Sequence, residues 1–128
     1  MARRFLTQKA MTKIKIGKIG EEIARNYLVK NNYEIKANNF RFGRWGEVDI
    51  IATQNQIYYF IEVKTRSNKN FGWPEEAVSE AKLKKISLVA QNYLEKNNLA
   101  NHWQIDIISI ILNHSSHYAR LWHIKNLR

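Results

Sequence analysis

Hydrophobic and polar residues alternate with a period of two in GEVDIIA, a segment near the middle of the chain. This is the period of a β-strand, and it predicts that Glu47, Asp49 and Ile51 share one face. Val48 and Ile50 then lie on the opposite face. The segment therefore predicts a strand that carries two carboxylates among apolar neighbours.

A second strand is predicted in YYFIEVKTR, where alternation groups Phe60, Glu62 and Lys64 on one face, opposite Ile61 and Val63. The polar residues TQNQ that separate the two segments have the length of a hairpin turn. Pairing across such a hairpin is expected to bring the aspartate of the first strand close to the glutamate and the lysine of the second.

Apolar residues recur at helical spacing on both sides of the hairpin. A first helix is predicted from about Lys15 to Asn31, where Glu21 lies at the border of the apolar stripe and Glu22 points away from it. A second helix is predicted from Pro74, a residue that suits the first helical position, to about Asn97. Its expected buried residues are Val78, Ile86, Val89 or Ala90, Tyr93 and Leu94, and its expected exposed residues are Lys82, Lys84 and Lys85.

Further strands are predicted from Tyr33 to Phe40, from Trp103 to Leu112 and from Tyr118 to Ile124, with a basic loop from Arg41 to Gly46. The element order is then α-β-β-β-α-β-β, which predicts one α/β domain over residues 15–128. Residues 1–14 are expected to form a basic, flexible arm. Asp106 lies among isoleucines, and we expect a structural role for it.

The composition of the chain excludes several classes of protein. The chain has 128 residues and no cysteine, so disulfides and zinc–thiolate sites are excluded and a reducing cytoplasm is expected. No apolar run approaches the ~20 residues that span a bilayer, and the basic N-terminus lacks the long apolar stretch of a signal peptide. These features predict a cytoplasmic domain without a membrane anchor.

Positive charge is concentrated in the first third of the chain. The net charge is +10, and residues 1–44 hold eleven Lys and Arg against three Glu, a net charge of +8. Such an excess indicates a polyanionic partner, although solvated surface lysines are the alternative. A membrane surface is less favoured than nucleic acid, because the first helix uses its apolar face for the core. Arg41, Arg44 and Trp45, directly before the acidic strand, are candidates to contact phosphates or an unpaired base.

The paired acids also predict chemistry. Two adjacent carboxylates repel each other, so a fold that keeps them together usually supplies a cation. Mg²⁺ prefers hard oxygen ligands and binds one or two carboxylates while keeping waters. Lys64 is then placed to orient a metal-bound water or to stabilise a phosphate transition state. The alternative is a solvated sheet face with a weak Glu–Lys pair. The preferred interpretation is a phosphodiester hydrolase.

Four motifs in order, GKIGEEIARNYL, GEVDIIA, FIEVKTR and FGWPEEAV, resemble the YraN-like family of small bacterial proteins. That family is a branch of the PD-(D/E)XK nuclease superfamily, similar to archaeal Holliday junction resolvases. The resemblance runs from about Gly17 to the C-terminal strands. It implies a restriction-endonuclease-like core, a mixed central sheet flanked by helices. It also implies that Asp49 and Glu62 bind metal, that Lys64 is catalytic, and that Glu21 is the helical acid that resolvases add to the site.

Together these observations predict a Mg²⁺- or Mn²⁺-dependent DNA endonuclease whose catalytic residues are Asp49, Glu62, Lys64 and Glu21. Its predicted metal ligands are Asp49, Glu62, Glu21 and the Val63 carbonyl. Arg41, Arg44, Trp45 and Arg66 are the candidate nucleic-acid contacts. The resemblance implies branched DNA as substrate and a homodimer as the working form. The alternative function is a nucleic-acid-binding module that retains the nuclease fold without cleaving.

Overall fold

A six-stranded mixed sheet with one helix against each face forms the architecture. The computed structural model describes residues 2–4, 13–67, 78–113 and 118–127. The helices are α1 (Lys13–Lys30) and α2 (Glu80–Lys96). The strands are β1 (Ala2–Arg4), β2 (Glu34–Phe42), β3 (Gly46–Gln54), β4 (Ile57–Ser67), β5 (Trp103–Asn113) and β6 (Tyr118–Ile124).

The order of strands across the sheet is β1-β6-β5-β4-β3-β2, and every neighbouring pair is antiparallel except β4 and β5. The β4–β5 pair is parallel because the chain crosses between the two strands through α2. From α1 onward, the element order is the predicted α-β-β-β-α-β-β, so the α/β fold class is confirmed. The short β1, which lies within the segment expected to be an arm, adds an edge strand beside β6.

Apolar residues fill both faces of the sheet. One cluster joins Ile23 and Leu28 of α1 to sheet residues that include Ile61 and Ile110. The other cluster joins α2 to the opposite face, where Phe60 is fully buried. The central strands are therefore covered on both sides, as their long apolar runs require.

The predicted alternation of β4 is confirmed, but that of β3 is wrong. Val48 and Ile51 both pack on the α2 side of the sheet, whereas Ile50 packs on the α1 side. The alternation breaks opposite Asn39, which lies between the β2 partners of Ile50 and Val48 and has a left-handed φ of 52°. Asparagine adopts this conformation more readily than most residues, so the break in alternation coincides with a β2 residue that suits an irregular backbone.

Two predicted boundaries also differ. The basic loop is a shorter turn, because β2 continues to Phe42 and β3 begins at Gly46; Gly43 in the turn has a φ of 52°. The second helix begins at Glu80, and Ser79 is its N-cap, so Val78 precedes the helix and is half-buried. Residues 68–77, which include Pro74, lie outside the described residues.

Candidate active site

The site begins where β3 and β4 stop pairing as a regular ladder. The last paired residues are Ile50 and Ile61. Beyond them, Asp49 Oδ2 accepts a hydrogen bond of 2.8 Å from the backbone N–H of Val63. The carboxylate thus takes the place of a strand carbonyl, and its position is fixed by the backbone of the neighbouring strand. This contact brings Asp49 beside Glu62, as the predicted hairpin requires.

Glu62 is the buried member of the carboxylate pair. Its exposed fraction is 6%, and its Oε2 lies 3.8 Å from Lys64 Nζ and 3.8 Å from Lys82 Nζ. Burial and the nearby negative charge of Asp49 raise the pKa of Glu62 to about 7, although the two lysines oppose this rise. An added positive charge nearby would stabilise the ionised form of such a carboxyl and lower its pKa.

Burial and neighbouring charges also shift the pKa of Asp49. Burial is the main cause that raises its pKa, and Glu47 contributes, whereas the Val63 N–H and the two lysines lower it. The closeness of Asp49 likewise raises the pKa of Glu62, because two like charges at short range destabilise each other. A cation bound at this position would stabilise the ionised form of both acids.

Glu21 reaches the site from α1. Gly20, the preceding residue, packs so closely on β4 that a Cβ atom there would overlap with Oγ1 of Thr65. Burial and the charge of Asp49 raise the pKa of Glu21, while a hydrogen bond from the Asn39 side chain lowers it. Among the described residues, however, no three acids, histidines or cysteines converge closely enough to hold a metal alone. Glu21 therefore faces the carboxylate pair without completing a three-carboxylate cage.

The candidate nucleic-acid residues lie around the β2–β3 turn and along β4. Arg41 Nη2 lies 3.3 Å from Glu47 Oε2, and the Arg41 side chain is largely exposed whereas that of Glu47 is partly buried. Arg44 is exposed in the turn beside Trp45, whose exposed fraction is 57%. Arg66 is half-buried on β4, beyond Lys64. The turn thus presents two cations and one aromatic ring to solvent beside the strand that carries Asp49.

Lys82 belongs to the site although it was predicted to face solvent. It is half-buried, and its ammonium is as close to Glu62 as that of Lys64. Asn39 is a second residue of the site that the hydrophobic pattern does not reveal. Its backbone is left-handed within β2, and its side chain hydrogen-bonds to Glu21. A sequence signal for Lys82 does exist: it follows Ser79 by three residues, where a capped helix usually carries an acid.

A separate polar cluster surrounds Asp106, which is fully buried. Its Oδ2 lies 2.7 Å from His123 Nε2, and its Oδ1 accepts from the Gln104 side chain and from Asn126 N. His123 Nδ1 is 2.8 Å from the hydroxyl of Tyr27 on α1. These contacts tie α1, β5, β6 and the C-terminal segment together, which matches the structural role expected for Asp106.

Comparison with known proteins gives a family and a set of relatives. Residues 20–110 match the model of the uncharacterised protein family UPF0102. A UPF0102 protein of Clostridium novyi is 43% identical over 112 residues, which cover 87% of this chain and 92% of that protein. A UPF0102 protein of Caldanaerobacter subterraneus is 42% identical over 106 residues, which cover 82% and 86%. No helix within the described ranges is long and apolar enough to cross a membrane.

Proposed function

The chain belongs to the uncharacterised protein family UPF0102, and we propose that it is a metal-dependent nuclease that hydrolyses phosphodiester bonds in DNA. The observation that carries this proposal is the buried pair of Asp49 and Glu62, flanked by two lysines. Buried acids with raised pKa values that face each other and nearby cations are typical of catalytic centres. The likeness of the four motifs to the PD-(D/E)XK superfamily supports the same chemistry.

The donor atoms fit a hard divalent cation. Asp49 and Glu62 offer carboxylate oxygens, and Val63 can add its backbone carbonyl. A site with two carboxylates suits Mg²⁺, which binds few protein ligands and retains waters, and Mn²⁺ accepts similar ligands. When bound, the ion would acidify a water and neutralise charge on the phosphate. Burial raises the pKa of Glu62 despite the two nearby lysines, so a bound cation would stabilise its ionised form, which supports a metal at this position.

Each protein group then has a defined task. The Val63 N–H holds the Asp49 carboxylate in a single orientation. Lys64, with its side chain 40% exposed and next to Glu62, is placed to stabilise negative charge on a phosphate that enters from solvent. Glu21 lies near Asp49, and burial and the charge of Asp49 raise its pKa, which suits an auxiliary acid of the site.

The surroundings of the site favour nucleic acid as substrate. The chain carries a net charge of +10, and the exposed Arg44 and Trp45 lie at the turn that leads into β3. Cations contact phosphates and an exposed ring can stack on an unpaired base. Branched DNA, a homodimeric working form and a cytoplasmic location complete the proposal, and these three rest on the motif resemblance and on the absence of cysteine.

A cleavage assay tests this function. Wild-type protein is incubated with linear, flapped, single-stranded and four-way-junction DNA in Mg²⁺, in Mn²⁺ and in EDTA. We expect cleavage with either metal, none in EDTA, and loss of cleavage in Asp49→Asn. Salt-sensitive DNA binding without cleavage of any substrate would instead identify a binding module with the nuclease fold.

A further inference from the structure

Lys82 reaches from the first turn of α2 to the buried carboxylate of Glu62. Ser79 caps this helix, and its Oγ accepts from the backbone N–H of Lys82 at 3.2 Å. The cap therefore fixes the backbone from which the lysine side chain extends. At its other end, Nζ lies 3.8 Å from Glu62 Oε2.

Local helix stability does not explain a lysine at this position. The third residue after an N-cap serine is favoured as Glu or Gln, which can bond back to the cap. A positive charge in the first turn is also disfavoured by the helix dipole. Residues that break local preferences are typical of functional sites. The contact with Glu62 is the compensating interaction.

The ion pair is nonetheless loose. At 3.8 Å the two atoms are beyond hydrogen-bond distance, and the Lys82 side chain is 40% exposed against 7% for that of Glu62. Lys64 lies at the same distance from the same oxygen. Because two ammonium groups share one carboxylate oxygen, Lys82 can leave while Lys64 remains.

The helix that carries Lys82 packs close to the β2–β3 turn, where we expect nucleic acid to bind. A Cβ atom at Gly46 would lie 3.7 Å from Lys85 Cβ and 3.6 Å from Val89 Cγ2, so α2 packs against the base of the β2–β3 turn. Lys82 is one helical turn before Lys85. Lys82 thus combines an ammonium near Glu62 with a 40% exposed side chain, on the helix that packs against the base of the turn carrying Arg44 and Trp45.

We propose that Lys82 is an exchangeable counter-cation of Glu62, which it neutralises in the metal-free protein and leaves in the working enzyme to bind a backbone phosphate of the nucleic acid. This inference rests on the proposed nuclease function and adds a substrate-binding residue to it. Removal of the lysine charge eliminates a competitor for Glu62, so metal binding becomes tighter. It also removes one phosphate contact, so the salt dependence of DNA binding becomes weaker.

The test compares Lys82→Met with Lys84→Met, a matched change at an exposed position of the same helix, and with Lys82→Arg, which keeps the charge. Titration calorimetry with Mn²⁺ should show binding about three- to tenfold tighter in Lys82→Met than in wild type, the scale of one nearby charge near a protein surface. The other two variants should match wild type. Affinity for duplex DNA is then measured at several salt concentrations, with Ca²⁺ present and with a check that the DNA stays uncleaved. In Lys82→Met, the slope of log affinity against log salt concentration should become shallower by roughly one unit.

Each result has a distinct meaning. If wild type binds Mn²⁺ and Lys82→Met binds it equally or more weakly, the proposed role of Lys82 is overturned while the nuclease proposal stands. Tighter Mn²⁺ binding with an unchanged salt slope overturns it as well, because the lysine would leave Glu62 without meeting the nucleic acid. If no variant and no wild-type protein binds Mn²⁺, both proposals fail together.

Discussion

Gly20 of α1 lies directly against the side chain of Thr65 on β4, at a distance that leaves no room for a Cβ atom. The helix can approach the sheet this closely because glycine has no side chain. The next residue, Glu21, is thereby brought to the carboxylate of Asp49. The close packing at Gly20 thus sets how near Glu21 comes to the site, while the helical period turns Glu22 away from it.

Gly20→Ala should lower stability and displace α1 from β4. Overlap with Thr65 in a packed interface is expected to cost about 1–3 kcal/mol in the free energy of unfolding. Gly17→Ala is the matched control, because nothing lies within 4 Å of its added Cβ and alanine favours the helix by ~1 kcal/mol. Urea unfolding of both variants checks this, and equal effects at the two glycines would contradict the close contact.

The pH dependence of stability should reveal the buried carboxyl of Glu62. Because its pKa is about 7 in the folded protein against an ordinary value of 4.5, the folded state binds the extra proton between these pH values. The stabilisation is full below about pH 4.5 and is lost as pH rises to about 7. Metal-free wild type should therefore lose on the order of 3 kcal/mol across this window.

Glu62→Gln removes the titrating group and should flatten that decline. Glu95→Gln, which removes the same charge from an exposed position of α2, should leave the wild-type profile in place. Urea unfolding in EDTA at several pH values measures all three proteins. A wild-type profile that is flat or rises over this pH range would show that Glu62 is not held in the buried environment described above.

Part of the fold and of the site could be predicted because it follows from local pattern. The period of two in the hairpin predicts that Asp49, Glu62 and Lys64 meet, and the helical period separates Glu21 from Glu22. Other features depend on conformations that hydrophobic pattern does not encode. The alternation of β3 breaks opposite the left-handed Asn39, although every residue of β3 suits regular alternation.

The solvent-facing position predicted for Lys82 is wrong for a different reason. Lys82 precedes Ile86 by four residues and Val89 by seven, so helical spacing places it in line with two buried residues. Its contact with Glu62, twenty positions earlier on another element, leaves no periodic signal. The contact of Tyr27 with His123 joins residues 96 positions apart, and such a distant pair leaves no periodic signal in a single sequence.

His123→Ala should destabilise the protein without affecting metal binding. The change removes one hydrogen-bond partner of the fully buried Asp106, and the loss of a partner from a buried polar group costs about 1–3 kcal/mol. His102→Ala, at an exposed position, should cost little. Thermal and urea unfolding measure the loss, and Mn²⁺ titration of the folded variant checks that the site persists. A loss of metal binding at full stability would assign His123 to the site instead.

Replacement of Arg41 and Arg44 by alanine should weaken DNA binding and make it less sensitive to salt. If both contact phosphates, the log–log slope of affinity against salt should flatten by roughly one to two units. Metal binding should be retained, because neither side chain contacts the carboxylate pair. Unchanged slope and affinity would mean that the β2–β3 turn faces away from the nucleic acid.

The most direct measurement of the central claim is Mn²⁺ titration calorimetry on the wild type, Asp49→Asn and Glu62→Gln, with Glu22→Gln as a control at an exposed acid of α1. Because Asp49 and Glu62 supply the carboxylate oxygens, we expect binding by wild type and by Glu22→Gln. Neither Asp49→Asn nor Glu62→Gln should bind. Binding of the metal with wild-type affinity by both of these variants would contradict the site.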